Sequence, residues 1–416
     1  MHKINRFELS NGLRVLHLKD PSRSTIVLNT LYNVGARDED ASRTGFAHLF
    51  EHLMFSGSKH VPVFDKEVEE AGGQNNAFTN NDFTNYYLVM PKENIETAFW
   101  LESDRMKDLT INEESLNVQK GVVVEEFKQR CFNSPFGMLW HHVREACYTE
   151  SSYRWPTIGL VTEHISESTL EDVQGFYNKF YKPQNAILSI VGDIELSEAR
   201  TLTEKWFGDI EKEGERNPNQ YLNEAAFTES LSSKHEDLSP NNAVFVVWKG
   251  PSARTPKEAL CLELFGELLG GSEVSPLQMK LVKGGQDFNG AEGFYLKGID
   301  EGLFILYGIL NDEISHEAAV DQLIQTLQET AIVSEENQYR LDSIINRLTT
   351  QQLIEATQPM QLAQKLCYYE NLGDVNFINE ELPLIESLTL DEIIRVVNNY
   401  LVTAHSRIIH YSPKKA

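Results

Sequence analysis

The run His48-Leu49-Phe50-Glu51-His52 sets two imidazoles four residues apart, with a carboxylate directly before the second. On a helix, residues i and i+4 share one face, a turn apart. Two neutral imidazoles on one face suit a Zn²⁺ ion. A carboxylate beside them suits removal of a proton from the water that such an ion activates.

A zinc centre that performs chemistry needs a third protein ligand and one position left open. The stretch Gln119-Lys120-Gly121-Val122-Val123-Val124-Glu125-Glu126-Phe127 offers two carboxylates. On a helix, Glu126 shares a face with Gln119, with Val122 and Val123 between them, and Glu125 points about 100° away. The order H-x-x-E-H also inverts the H-E-x-x-H of zinc-peptidase helices.

These residues need elements to hold them. Phe46 to Phe55 reads as the helix carrying the motif. Val63 to Glu70 reads as a second helix, stopped by Gly72-Gly73. Residues 93–108 and 113–131 read as helices. Leu13 to Leu18 and Thr25 to Tyr32 read as strands paired around Asp20-Pro21-Ser22. Asn75 to Phe78 and Thr84 to Met90 are strand-like, rich in Phe, Tyr and Thr. Asp38-Glu39-Asp40 reads as a solvated turn. The fold class expected is α+β, two duplicated domains, each a mainly antiparallel sheet covered by helices.

The duplication rests on two echoes. Thr169-Leu170-Glu171-Asp172-Val173 opens a helix that leads to a strand from Ala186 to Val191. Some 220 residues later, Thr389-Leu390-Asp391-Glu392-Ile393 opens a helix ending near Tyr400, and a strand follows from Arg407 to Tyr411. Each begins with Thr as N-cap and acids in the first turn. Ala47 to Phe55 also resembles Leu262 to Gly270, with Phe50 on Phe265, Leu53 on Leu268 and Met54 on Leu269. At the motif positions the second half has Glu263, Gly266 and Glu267, so the framework repeats and the zinc site does not. The expected domains are 1–212, catalytic and zinc-binding, and 222–416, homologous and non-catalytic. A charged, turn-rich linker, 213–221, falls between them, within the stretch Ile210 to Leu222.

Composition narrows the function classes. At 416 residues the chain suits two or more domains, and its hydrophobic fraction of 41% is globular. It contains no run of eighteen apolar residues, and its start lacks an apolar signal core. The expectation is a cytoplasmic protein, or a periplasmic one if a leader has been trimmed away. A net charge of −25 argues against nucleic-acid and membrane roles. It serves solubility and could attract basic peptides. The four scattered cysteines, Cys131, Cys147, Cys261 and Cys367, imply neither a disulfide framework nor a thiolate site.

With His48, Glu51, His52 and Glu126 in view, the chain resembles the pitrilysin/insulinase family of zinc peptidases, which includes the mitochondrial processing peptidases. That family's third ligand ends a stretch of the form Glu-Arg-x-x-Val-x-x-Glu, which places it on Glu126. The interval from His52 is slightly shorter than the family's, which keeps Glu125 as the alternative. The family's auxiliary Glu is Gln119 here, an amide that can hold a hydrogen bond without charge. Asn33-Val34-Gly35-Ala36-Arg37-Asp38-Glu39, Phe55-Ser56-Gly57-Ser58, Trp155-Pro156-Thr157-Ile158-Gly159 and Pro183 to Asp193 also match. Gly72-Gly73-Gln74-Asn75-Asn76-Ala77-Phe78-Thr79 resembles the family's substrate-binding edge strand.

The resemblance implies two half-barrels closing a chamber, this chain forming half of the clamshell. It implies a zinc endopeptidase or oligopeptidase acting on unfolded peptides. His48, His52 and Glu126 would be the ligands, Glu51 the general base, and Asn75, Asn76, Ala77 and Phe78 the substrate edge. The alternative is a non-catalytic structural or assembly subunit on the same fold. Such subunits lose one or more of the four site residues, and all four are present. Active members add an Arg, and a Tyr seven residues later, from a second-half unit. Here Val282 and Asn289 stand there, and no arginine occurs between Arg254 and Arg340. The implied partner is a related subunit supplying that pair; a homodimer is the competing arrangement.

Overall fold

The computed structural model describes residues 2–217, 224–311 and 313–414. The first sheet contains β1 (Asn5–Glu8), β2 (Arg14–Lys19), β3 (Thr25–Tyr32), β4 (Gln74–Thr79), β5 (Thr84–Pro91) and β6 (Ala186–Gly192), in the order β1-β2-β6-β3-β5-β4. The second contains β7 (Leu231–Asp237), β8 (Ala243–Gly250), β9 (Phe288–Leu296), β10 (Gly302–Leu310) and β11 (Arg407–Pro413), in the order β7-β11-β8-β10-β9. Among the described residues, β2–β6 and β7–β11 are parallel and the other pairings antiparallel.

From β2 onward the first order corresponds to the second strand for strand, β1 being an additional edge strand, and the parallel pair, β2–β6 or β7–β11, falls in the same place in each. The Thr-led helices are Leu170–Phe180 and Leu390–Tyr400. Both open with a capping box, Thr169 with Asp172 and Thr389 with Glu392. Each helix delivers the strand that enters the middle of its sheet, β6 or β11.

That insertion corrects one expectation. β2 and β3 both form, but they do not pair around Asp20-Pro21-Ser22. β6 lies between them, parallel to β2 and antiparallel to β3. The turn itself bonds to the newcomer, since the Asp20 N–H donates to the Gly192 carbonyl at 2.9 Å. A strand arriving from far along the chain leaves no local trace in the turn.

The chain divides into two compact units. One is Met1–Phe127, Trp155–Asn219 and Gln352–Glu381; the other is Lys128–Arg154, Gln220–Gln351 and Leu382–Ala416. Each unit therefore takes in a stretch of the opposite half, which the contiguous spans 1–212 and 222–416 do not anticipate. The central strands β3 and β6 are buried along nearly their whole length, so both faces of the sheet need cover. In the first unit, helix Pro359–Leu372 covers one face. It packs Leu362, Ala363, Leu366 and Cys367 against Leu16, Val27, Leu31 and Ile187. In the second, helix Leu139–Cys147 sets Val143 and Cys147 against Phe245, Ile305, Ile409 and Tyr411.

Of the expected linker, residues 218–221 lie outside the described residues. The preceding ones dock on the first unit: Lys182 Nζ pairs with Glu213 at 2.8 Å, and Asn217 Nδ2 donates to the Asn33 carbonyl and Asp38 Oδ1. All four cysteines are buried free thiols. Among the described residues, no helix is long and apolar enough to cross a membrane.

Candidate metal centre

The motif helix spans Phe46–Leu53, two residues shorter than the run expected. It is embedded on most sides: Phe46, Ala47, Leu49, Phe50 and Leu53 are buried in the first unit's core. The open face carries residues three and four apart, His48, Glu51 and His52. His48 is buried, and Glu51 and His52 are half-buried.

A wall of aromatic side chains supports the helix. Phe50 stacks on Tyr181 and Phe176, with ring centroids 4.9 and 5.2 Å apart. The Tyr86 hydroxyl donates to the Phe50 carbonyl at 3.0 Å and lies 3.2 Å from the Tyr181 hydroxyl. Burial holds both phenols well above their usual pKa, and the Glu51 carboxylate adds to that, so they stay protonated. Beside them Arg105 pairs with buried Glu102 and lies over the rings of Phe64 and Tyr86, each 4.6 Å away. Asp104 secures the loop after the helix. It accepts from Ser58 Oγ at 2.5 Å and the His60 N–H at 3.0 Å.

The N-terminus of the helix has an unexpected holder. Asp38-Glu39-Asp40 is not a solvated turn as a whole: only Asp40 is exposed, and Glu39 is buried. Its two carboxylate oxygens accept from the Gly45 N–H at 2.9 Å and the Ala47 N–H at 2.8 Å. Gly45 is the N-cap residue, at φ +90°, and has no side chain with which to cap the helix itself. Burial pushes the Glu39 carboxyl up to about 8, against the Ala47 and Gly45 amides and Trp155, which pull it down. The Trp155-to-Gly159 segment closes over the same end. Trp155 Nε1 donates to the Ala36 carbonyl at 2.8 Å, and Gly159 lies so close that a Cβ there would sit 3.0 Å from the Thr44 carbonyl.

The second helix of the site is Glu113–Phe127, which packs beside the motif helix. It was expected to run to 131; after Phe127 it widens into a π-helical turn, Lys128–Phe132. Glu126, in its last turn, faces the histidines. Glu126 Oε2 lies 3.5 Å from both His48 Nε2 and His52 Nε2, and the three donor atoms fall within 4.8 Å of one another. Glu125 is exposed and outside that cluster, and Gln119 is half-buried two turns before Glu126.

The donor set fits zinc. Tetrahedral bonds of about 2.0–2.1 Å separate ligand atoms by roughly 3.3–3.5 Å, the spacing both histidines already keep from Glu126. The pair of imidazoles and one carboxylate is a ligand set that leaves a fourth position free.

β4 is the edge of the first sheet, pairs with β5 and lies beside the motif helix. The side chains of the expected substrate residues diverge. Asn76 is exposed, and its Oδ1 accepts from the Ala77 N–H at 2.8 Å. Ala77 packs on the core under the motif helix. Phe78 turns to the opposite face, against Phe83. Asn75 Nδ2 donates to Asp65 Oδ1 at 2.9 Å.

Glu39, Asp104 and the tyrosines were not foreseen. Tyr86, Asp104 and Tyr181 stand 34 or more residues beyond the motif, and Glu39 lies in a run of three acids that composition alone reads as solvated.

Residues 14–157 match the model of the insulinase family, peptidase family M16, and residues 168–348 match that of the peptidase M16 inactive domain. The chain is 27% identical over 410 residues to the zinc protease PqqE of Helicobacter pylori, covering 97% of this chain and 92% of that one. It is 25% identical over 399 residues to the uncharacterized zinc protease YmxG of Bacillus subtilis, covering 95% and 92%. The crystal structure of a protease from Helicobacter pylori superposes with a TM-score of 0.92 at 26% identity, covering 99% of this chain and all of that one. The chain belongs to the insulinase family of peptidases, M16, residues 14–157 matching its peptidase model and residues 168–348 its inactive-domain model.

Proposed function

We propose that this chain is the catalytic subunit of a zinc-dependent endopeptidase or oligopeptidase that hydrolyses unfolded peptides. The observation that carries the reading is the convergence of His48, His52 and Glu126 within 4.8 Å, on the face of the helix that also presents Glu51. His48, His52 and Glu126 would hold Zn²⁺, which, when bound, supplies an acidified water and polarises the scissile carbonyl. A Glu51 carboxylate oxygen accepts a proton during attack and returns it to the departing amine. Gln119, standing where the family has its auxiliary Glu, would offer an uncharged amide two turns before Glu126. The protonated phenols of Tyr86 and Tyr181 keep the motif helix seated while charge moves at its surface.

The substrate adds as a strand along β4, where backbone bonds position it with little sequence preference. The Ala77 amide, which donates to the exposed Asn76 side chain, is the donor such a strand would take over. Ala77→Pro removes that donor. The expected result is a KM for an unstructured peptide raised about tenfold, at the upper end of what one such bond is worth. An unchanged KM with an intact circular-dichroism spectrum would discard β4 as the docking edge.

The chain lacks an arginine where the family implies a donor for the developing oxyanion, and losing one such donor costs about 10²–10³ in rate. A related subunit without the zinc motif, supplying an Arg and a Tyr, completes the site in this reading. The test is digestion of an unstructured peptide by the zinc-loaded chain, alone, with a chelator, and with candidate sister subunits, alongside mass in solution. Chelator-sensitive cleavage that rises with one subunit is expected. No cleavage in any mixture overturns the peptidase reading, and full activity from a monomer overturns the partner.

A further inference from the structure

We infer that Glu39 is a positioning residue of the metal site, its carboxylate fixing the seat of the motif helix and so the aim of His48 and His52 at Glu126. The inference rests on the zinc reading above and goes beyond it. An eight-residue helix has four N–H groups without partners at its start, and this one begins at a glycine that offers no capping side chain. Glu39 fills that role from six residues upstream of Gly45. Its two oxygens span the Gly45 and Ala47 amides, and Ala47 directly precedes His48.

Two further features separate this from ordinary capping. A Ser, Thr or Asp at the cap would satisfy the same donors locally and at the surface. Here the carboxyl group is buried instead, an expensive placement for a polar group unless it is hydrogen-bonded. Moreover, the side chain joins the motif helix to the strand-end turn after β3. Gly35 in that turn has no space for a Cβ, which would lie 2.5 Å from the Asn81 backbone. The Gly35 N–H is held by Asp38 Oδ2 at 2.9 Å, and Asn217 Nδ2 holds Asp38 Oδ1 at 2.8 Å. The turn is thus rigid, and Glu39 transfers that rigidity to the first turn of the helix. A helix free to rock about its open end would move His48 and His52 together relative to Glu126, which sits on a different helix. Metal affinity and turnover depend on that spacing more than substrate binding at β4 does.

The test compares Glu39→Gln and Glu39→Asp with the parent chain, with exposed Asp40→Asn as control. Gln keeps the volume but sets an NH₂ against one of the two amides. Asp keeps the carboxyl group but is one methylene too short to span both. The expected result for Glu39→Gln is zinc loss to a chelator at least about tenfold faster, and a kcat about tenfold lower with KM within about twofold, since a tenfold change is one hydrogen bond's worth. Asp should recover part of both, and Asp40→Asn should match the parent. A lowered Tm with zinc release and kcat unchanged in the folded protein would make Glu39 a general stabiliser and overturn the inference. Should the parent bind no zinc, the zinc reading falls by itself. Amide hydrogen exchange over residues 45–52, measured without metal, then still decides. Faster exchange in Glu39→Gln sustains the positioning role, and equal exchange overturns it.

Discussion

Glu51→Gln is expected to keep one zinc per chain and lose turnover by about 10²–10⁴-fold, the range that a positioned general base contributes. The amide keeps the size and helix propensity of the carboxylate but cannot accept a proton. Glu51 lies on the open face of the helix between the two histidines and outside the three-atom ligand cluster, so its replacement leaves the donors in place. The measurement is metal content by atomic emission beside initial rates on an unstructured peptide. Retention of more than about a tenth of parental activity would remove Glu51 from the role, because no general base is worth so little. The inactive variant should still bind peptide along β4, which makes it the form for a substrate complex.

The second large effect concerns the ligands. His48→Ala, His52→Ala and Glu126→Gln should each lower zinc affinity by more than about a hundredfold, since even residues that only support a ligand are worth about 10–100-fold. Stoichiometry after dialysis should fall from about one per chain to near none, and activity with it. Glu125→Gln, on the exposed side of the same helix turn, should leave zinc content unchanged. The reverse pattern, with zinc kept in Glu126→Gln and lost in Glu125→Gln, would require the helix to rotate by about 100° from the orientation described. Thermal unfolding with and without chelator separates ligand loss from misfolding. Glu126 lies in the last turn of its helix and contributes little to the core, so its Gln variant should fold.

The half of the chain that carries the candidate metal site is legible in sequence because the motif's geometry is local. His48, Glu51 and His52 share a face through helix geometry alone, and Thr169 and Thr389 announce their helices by contacts three residues away. The repeat is legible for the same reason, since each copy carries its own cap, helix and strand. The choice between Glu125 and Glu126 required more. Periodicity separates the two carboxylates by about 100°, but only the packing of helix Glu113–Phe127 beside the motif helix decides which one faces the histidines.

Three features belong to the tertiary structure alone. β6 enters between β2 and β3, so the neighbours suggested by a short turn are not neighbours in the sheet. Helices Leu139–Cys147 and Pro359–Leu372 each cover a sheet of the opposite half, because a sheet buried on both faces takes its second cover from wherever the chain returns. Glu39 sits in an acidic run that composition reads as solvated, yet it is buried against a helix whose start lacks a cap. Residue types and spacing determine which groups can do chemistry and which face of a helix they share. How far a strand travels, which helix returns to cover it and what holds a helix end depend on contacts between residues far apart in sequence, and local periodicity carries no record of them.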